Sequence, residues 1–311
     1  MELIKKQIHM NQWKGNVTTQ ITLDDDFIVP DTLDDMEQVM LDTGEIQIET
    51  VKNQGDKVAV KGKLEFQVLY RKESGGLQTL GGNIPFEEVV NVQGLEEKDY
   101  VGLNWMLEDL NTDMINSRKL GVQAIITLQV RVETLRDVEA AVDVDMENNS
   151  RPAGAGMSDT DGAGQVQVET LKRTANAAAI AVRRKDTYRI KEELSLTGGK
   201  PNIGQLLWRE MKLRDVTAKP LDGRLHLDGE LSVFVIYGAE DENMPVQWLE
   251  ETIPFSGDME MGDVKEDQIP MVTVRLAHKD MEAKPDYDGE MREMDVDAVL
   301  ELDIKLYEEE E

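Results

Sequence analysis

The chain carries one pattern twice. Met36–Tyr70 aligns with Ile203–Tyr237 at a constant offset of 167 and without a gap. Gln38 meets Gln205, Lys52 meets Lys219, Gly62 meets Gly229, Leu64 meets Leu231, Val68 meets Val235 and Tyr70 meets Tyr237. Apolar positions also coincide: Met36 with Ile203, Val39 with Leu206, Ile46 with Leu213, Val58 with Leu225 and Phe66 with Val233. A self-similarity of this length fixes domain number before any function is considered. Whatever does not repeat lies outside the shared framework.

The alignment continues with small changes of offset. Ile84-Pro85-Phe86 matches Ile253-Pro254-Phe255 at 169, which also pairs Leu103, Trp105 and Leu107 with Val272, Val274 and Leu276. Val122, Ala124, Leu128 and Val130 meet Val296, Ala298, Leu302 and Ile304 at 174. The offset shifts only in segments that read as loop, Arg71–Asn83 and Glu108–Gly121, and loops absorb insertions more easily than packed elements.

Period-2 alternation dominates both copies. From Val58 to Tyr70 the even positions read Val, Val, Gly, Leu, Phe, Val, Tyr, while Lys61, Lys63, Glu65 and Gln67 alternate with them. That is a strand with one buried face. Its twin carries Leu225, Leu227, Gly229, Leu231, Val233, Val235 and Tyr237 on one face and His226, Asp228, Glu230 and Ser232 on the other. The shared glycine reads as a bulge or bend. Closing strands follow at Val122–Val132 and Val296–Leu306. Further strands are expected at Val17–Leu23, Glu45–Val51, Val101–Leu107, Arg189–Leu196, Lys212–Thr217, Pro245–Ile253 and Val272–Leu276.

One short helix per copy is expected near Leu33–Leu41 and Asn202–Glu210. Asp31 or Thr32 would cap the first, and Ile203, Leu206 and Leu207 stand at helical spacing in the second. The fold class is thus all-β and mainly antiparallel: two tandem homologous β-sandwich-like domains, each with one short helix. A partly open barrel is the alternative. The domains run 1–146 and 165–311. Between them, 147–164 is rich in Gly, Ala, Ser and Asp and reads as a flexible linker.

Composition removes several classes of function. The chain has 311 residues, which fits two domains, and 40% apolar residues, enough for ordinary cores. It has no Cys, which excludes disulfides, thiolate zinc sites and a cysteine nucleophile. No stretch reaches the roughly 20 apolar residues that span a bilayer, and no secretory signal opens the chain. The net charge is −29, with residues 240–311 holding 24 Asp+Glu against 6 Lys+Arg. Nucleic acid and anionic membranes are poor partners for such a surface. Its acidity reads as a solvated surface that maintains solubility.

Chemistry-bearing motifs are sparse. His9, His226 and His278 have no second His at metal-ligand spacing and read as surface or loop residues. Ser256 sits in Phe-Ser-Gly-Asp, which is not the G-x-S-x-G of a strained nucleophile turn. Neither a phosphate-binding P-loop nor a dinucleotide G-x-G-x-x-G in strand-to-helix context occurs. Asp286-Tyr287-Asp288-Gly289-Glu290 lacks the rest of a calcium loop and reads as an Asp-Gly hairpin turn. Asp159-Thr160-Asp161-Gly162 lies in the linker, and Asp24-Asp25-Asp26 reads as a charged loop. Glycosidase carboxylate pairs are spatial rather than sequential. With only 5% aromatic residues, the chain offers little stacking surface for sugars. Trp208 and Trp248 are expected in the core. No catalytic residue, cofactor-binding residue or metal ligand is assigned, and no cofactor is expected.

The second copy, with LDGRLHLDGELSVFVIYGAEDENMPVQWLEETIPFSGDMEM and KPDYDGEMREMDVDAVLELDIKLYEEEE, resembles the SPOCS domain of SipL-like spore-coat morphogenetic proteins. So does the first, with FIVPDTLDDMEQVM and VAVKGKLEFQVLYR. The resemblance spans nearly the whole chain outside the linker, and its motifs are structural rather than catalytic. It implies a non-enzymatic assembly protein in the mother-cell cytoplasm at the forespore surface. The implied partners are proteins, the basal spore-coat ATPase and other coat proteins among them. Such relatives continue into a C-terminal LysM module, the part the family associates with the ATPase. The chain as given stops at Glu311, as expected for a piece of a longer LysM-containing protein. The rival expectation is a cell-wall glycan- or cation-binding module.

Overall fold

The computed structural model describes residues 2–145, 171, 173–241 and 244–310. The linker expected at 147–164 lies outside the described residues. Those residues form twelve strands and no helix. The first half holds β1 (Glu2–Ile28), β2 (Met36–Asn53), β3 (Lys57–Lys72), β4 (Leu77–Asn91), β5 (Tyr100–Asn116) and β6 (Lys119–Asp145). The second holds β7 (Ala177–Ser195), β8 (Ile203–Leu221), β9 (Arg224–Ala239), β10 (Val246–Glu260), β11 (Ile269–Pro285) and β12 (Met291–Glu310).

Four three-stranded antiparallel sheets result. Their orders are β1-β6-β5 and β2-β3-β4 in the first half, and β7-β12-β11 and β8-β9-β10 in the second. The two halves therefore share one topology. In each, the alternating apolar residues of two sheets face each other. Val58, Leu64, Phe66, Val68 and Tyr70 of β3 meet Leu120, Val122, Ile126, Leu128 and Val130 of β6. Leu225, Leu231, Val233 and Tyr237 of β9 meet Val296, Leu300, Leu302 and Ile304 of β12. β2 also runs beside β5, and β8 beside β11.

The expected helices are strands, and the cause is local. β2 slips its register on β3 between Met36 and Gln38 and again between Val39 and Leu41. β8 slips on β9 between Ile203 and Gln205 and between Leu206 and Trp208. Each bulge inserts one residue against the partner strand and resets the alternation. Two bulges three residues apart turn period 2 into the spacing of Ile203, Leu206 and Leu207, which mimics a helical stripe. Asp31 and Thr32 consequently sit in a turn, not at a helix cap.

The shared glycine is likewise not itself the bulge. Gly62 pairs with Phe86, and Gly229 with Phe255, in unbroken ladders. The irregularities lie opposite, between Ile48 and Thr50 and between Arg214 and Thr217. Asp215, in the second of these, takes a positive φ of 49°. A Cβ on Gly62 would stand 2.6 Å from the Gln47 carbonyl oxygen and 2.8 Å from the Phe86 ring. On Gly229 it would stand 2.6 Å from the Phe255 ring. The glycine is where a cross-strand phenylalanine folds over the backbone.

Three polar ties recur in both halves and hold the turns. Tyr70 donates to the Asp34 carbonyl at 3.0 Å, and its twin Tyr237 to the Pro201 carbonyl at 3.2 Å. Burial pushes both phenols above their ordinary pKa. Arg118 donates to the Leu33 and Val29 carbonyls, at 2.8 and 2.9 Å. Its twin Arg292 donates to the Lys200 carbonyl at 2.9 Å and to Asn202 at 3.1 Å. Asp99 accepts from the Glu96 amide at 2.7 Å, as its twin Gln268 does from the Lys265 amide at 3.1 Å. Among the described residues, no helix is long and apolar enough to cross a membrane.

Candidate functional site

The halves meet along β1 and β7, and at β4 and β8. The junction is built around Glu133 of β6, which is buried. Its carboxylate accepts from Lys305 Nζ of β12 at 2.6 and 2.7 Å and pairs with Arg183 of β7 at 3.0 Å. Burial pushes the Glu133 carboxyl up, but Lys305, Asn11 and Arg183 outweigh it and hold the group below its ordinary pKa. Arg183 stacks 3.8 Å from the centre of the Tyr100 ring. Nearby, Arg275 of β11 lies 4.1 Å from the centre of the Trp105 ring and donates to the Leu103 carbonyl at 3.0 Å. Burial draws that guanidinium below its usual value, against the pull of Asp303 and Glu301. Asn11 donates to Tyr307 at 3.2 Å, and Lys279 pairs with Glu45 at 2.6 Å.

These contacts frame a cleft of about 690 Å³ between the halves. Trp13, Arg131, Lys185, Thr187, Thr273 and Tyr307 line it beside the groups just named. Such a space would admit a small polar ligand. Its cations, however, already face Glu133, Asp186, Glu301 and Asp303 across the same cleft.

A second surface lies on the outer face of β9 and β10. Trp248 is 57% exposed, which corrects the expectation that it belongs to the core. Strand parity explains it. Leu249, Ile253 and Phe255 point inward, so Trp248, like Val246, must point out. Its ring lies 6.4 Å from that of Phe234, against Ile236, with Lys200 Nζ 5.1 Å above it. Trp208 is buried, but in neither main core. It forms a separate cluster with Leu207 and with Leu69 of the first half.

The same outer face brings together residues the sequence kept apart. β9–β10 pairing sets His226 opposite Asp258, and Asp228 opposite Ser256. His226 Nδ1 meets Asp258, Nε2 meets Asp228 at 3.0 Å, and Ser256 Oγ lies 3.5 Å from Nε2. The outline is that of a Ser-His-Asp site, but the electrostatics differ. The hydrogen bond that His226 donates to Asp258 leads, Asp228 adds to it, and together they raise the imidazole above its ordinary pKa. Carboxylates at both ring nitrogens favour the doubly protonated ring, which donates at each nitrogen and leaves no acceptor for the serine proton. The cluster is a cross-strand ion pair.

Other residues singled out in the sequence fall into structural roles. Asp286 closes the β11–β12 hairpin, accepting from the Asp288 and Glu290 amides at 2.9 and 3.0 Å, with Gly289 at a φ of 85°. Asp26 pairs with Lys119 at 2.6 Å and Asp24 accepts from Gln123 at 3.2 Å, both within sheet β1-β6-β5. His9 lies 2.6 Å from Asp137. Asp159–Gly162 lies outside the described residues. Among the described residues, no three His, Cys, Asp or Glu side chains are grouped to hold a metal ion. Sequence reasoning missed the Glu133 network, because its members come from four strands of two domains. A family model described as "SipL, SPOCS domain" matches residues 35–115 and 202–284, more than half of the chain. The matches take in β2 to β5 and most of β8 to β11. No curated protein and no solved structure matches.

Proposed function

The chain belongs to the SipL SPOCS-domain family, and from that premise we propose that it is a non-enzymatic structural protein of spore-coat assembly. It acts by protein–protein contact in the mother-cell cytoplasm at the forespore surface. Its partners are coat proteins, the basal spore-coat ATPase among them. The observation that carries this reading is the outward tryptophan. Trp248, Phe234, Ile236 and Val246 make an apolar patch on a strongly acidic molecule. Exposed tryptophan set among apolar neighbours is the usual anchor of a protein interface. Duplication also supports it, because two linked binding modules raise effective concentration on one assembly.

Capture from sporulating-cell extract tests the reading. Wild-type chain should retain coat proteins identifiable by mass spectrometry, and Trp248→Ala should lose them. Recovery of no coat protein by the wild type would defeat it. The cleft motivates a second reading, binding of a cell-wall glycan, since Trp13 and Tyr307 stand beside polar side chains there. Calorimetry with muropeptides separates the two: a saturable heat favours the glycan, its absence the assembly role.

A further inference from the structure

The internal junction joins unlike surfaces. The first half contributes an outer face, with Leu69 of β3 and Leu77 and Thr79 of β4. The second contributes a knob, Leu207 and Trp208, at the bulged start of β8. Leu69 is 1% exposed and the two knob residues 5% each. Leu207 is the extra residue of its bulge, so its carbonyl stands outside the ladder. It accepts instead from the Thr79 hydroxyl of the other half.

Duplication gives each half both surfaces, and the chain uses each once. The twins of Leu207 and Trp208 are Met40 and Leu41, which are 50% and 41% exposed. Met40 is likewise the extra residue of a bulge, between Val39 and Leu41. The twins of Leu69, Leu77 and Thr79 are Ile236, Val246 and Trp248. Val246 is 38% and Trp248 57% exposed. One knob and one face are therefore left over, on different halves. The spare face is continuous with the existing junction, because Phe234 and Ile236 already pack against the cluster of Leu207 and Trp208.

We propose that the two spare surfaces join between molecules, the Met40 knob of one copy docking on the Trp248 face of the next. The contact repeats the internal junction head to tail. The indole N–H of Trp248 takes the place of the Thr79 hydroxyl and donates to the Met40 carbonyl. A contact between unlike surfaces closes into a ring or extends as a filament, depending on the rotation per step. A net charge of −29 opposes it, so screening favours assembly. The proposal rests on the reading of the Trp248 face as a docking surface and names its occupant, a second copy of the chain.

Sedimentation velocity of the purified chain over a range of concentration and salt tests it. The sedimentation coefficient should rise with concentration, more steeply at high salt. Met40→Glu and Trp248→Glu should each keep the chain monomeric. An equimolar mixture of the two variants should form pairs and stop there, because each retains one working surface. A second measurement does not depend on these variants folding well. The chain has no Cys, so Asp42→Cys with Glu250→Cys in one chain, at the twins of Arg209 and Gly81 that share a cleft at the internal junction, should oxidise to a ladder of linked copies. A wild type that stays monomeric throughout, variants that assemble like it, or no ladder would each overturn the proposal. Coat-protein capture by a chain that stays monomeric would keep the assembly role and remove self-docking alone.

Discussion

Glu133→Gln should weaken the chain through the junction rather than through either core. Lys305 and Arg183 lie within 3.0 Å of the Glu133 carboxylate. Their side chains are 13% and 15% exposed, against 11% for Glu133 itself. At an effective dielectric constant near 20, each pair is worth about 4 kcal/mol at 4 Å. The loss of hydration on burial takes back much of that. The net gain from the triad is thus small, but removing its one anion leaves two buried cations facing each other. Such a break costs about 3–5 kcal/mol. Glu301 and Asp303 line the same cleft and offset part of it, so about 3 kcal/mol is expected. Urea unfolding followed by tryptophan fluorescence measures it. Adding Lys305→Met to Glu133→Gln should recover part of the loss. The depressed Glu133 pKa adds a pH signature. Its contribution is complete above the unfolded value, about 4.3, and is lost as pH falls through the lower folded value. The gap between wild type and variant should therefore be flat at neutral pH and close in acid. A loss under about 1 kcal/mol, or a gap unchanged in acid, would refute the reasoning.

Gly229→Ala should cost about 1–3 kcal/mol and lower the melting temperature, since its Cβ would overlap the Phe255 ring. Gly62→Ala should cost at least as much, because a backbone oxygen as well as a ring blocks it. Arg118→Met strands the Leu33 and Val29 carbonyls and should cost about 1–3 kcal/mol by thermal melting. His226 should titrate above free imidazole by NMR, and Asp258→Asn should lower that midpoint. Its stabilising effect is complete below about pH 6.5 and fades as pH rises through the folded value. A His226 midpoint below free imidazole would contradict the ion-pair assignment.

Reading faces from parity worked where alternation ran unbroken. Val122 to Val132 and Leu225 to Tyr237 read as strands with one buried face, and the structure buries those residues. It failed at Met36–Leu41 and Ile203–Trp208, where two bulges imitate a helical stripe. Trp248 was legible in principle, because its parity opposes Leu249, Ile253 and Phe255. Hydrophobicity argued for burial, but position along the strand decides which way a side chain points. The offset of 174 also reaches back from Val122 to Arg118 and Arg292, so that repeated tie was open to a longer alignment.

The amino-acid order alone determined the duplication, the all-β class and the inward faces, because alternation along a strand is a local property that each copy states twice. Only the tertiary structure decided how the copies meet: Glu133 against Lys305 and Arg183, Leu207 and Trp208 on Leu69, and Trp248 left in solvent. Those outcomes depend on surfaces far apart in the chain. Halves of one topology must use them unequally, since one junction consumes one face and one knob and leaves Met40, Leu41, Val246 and Trp248 exposed.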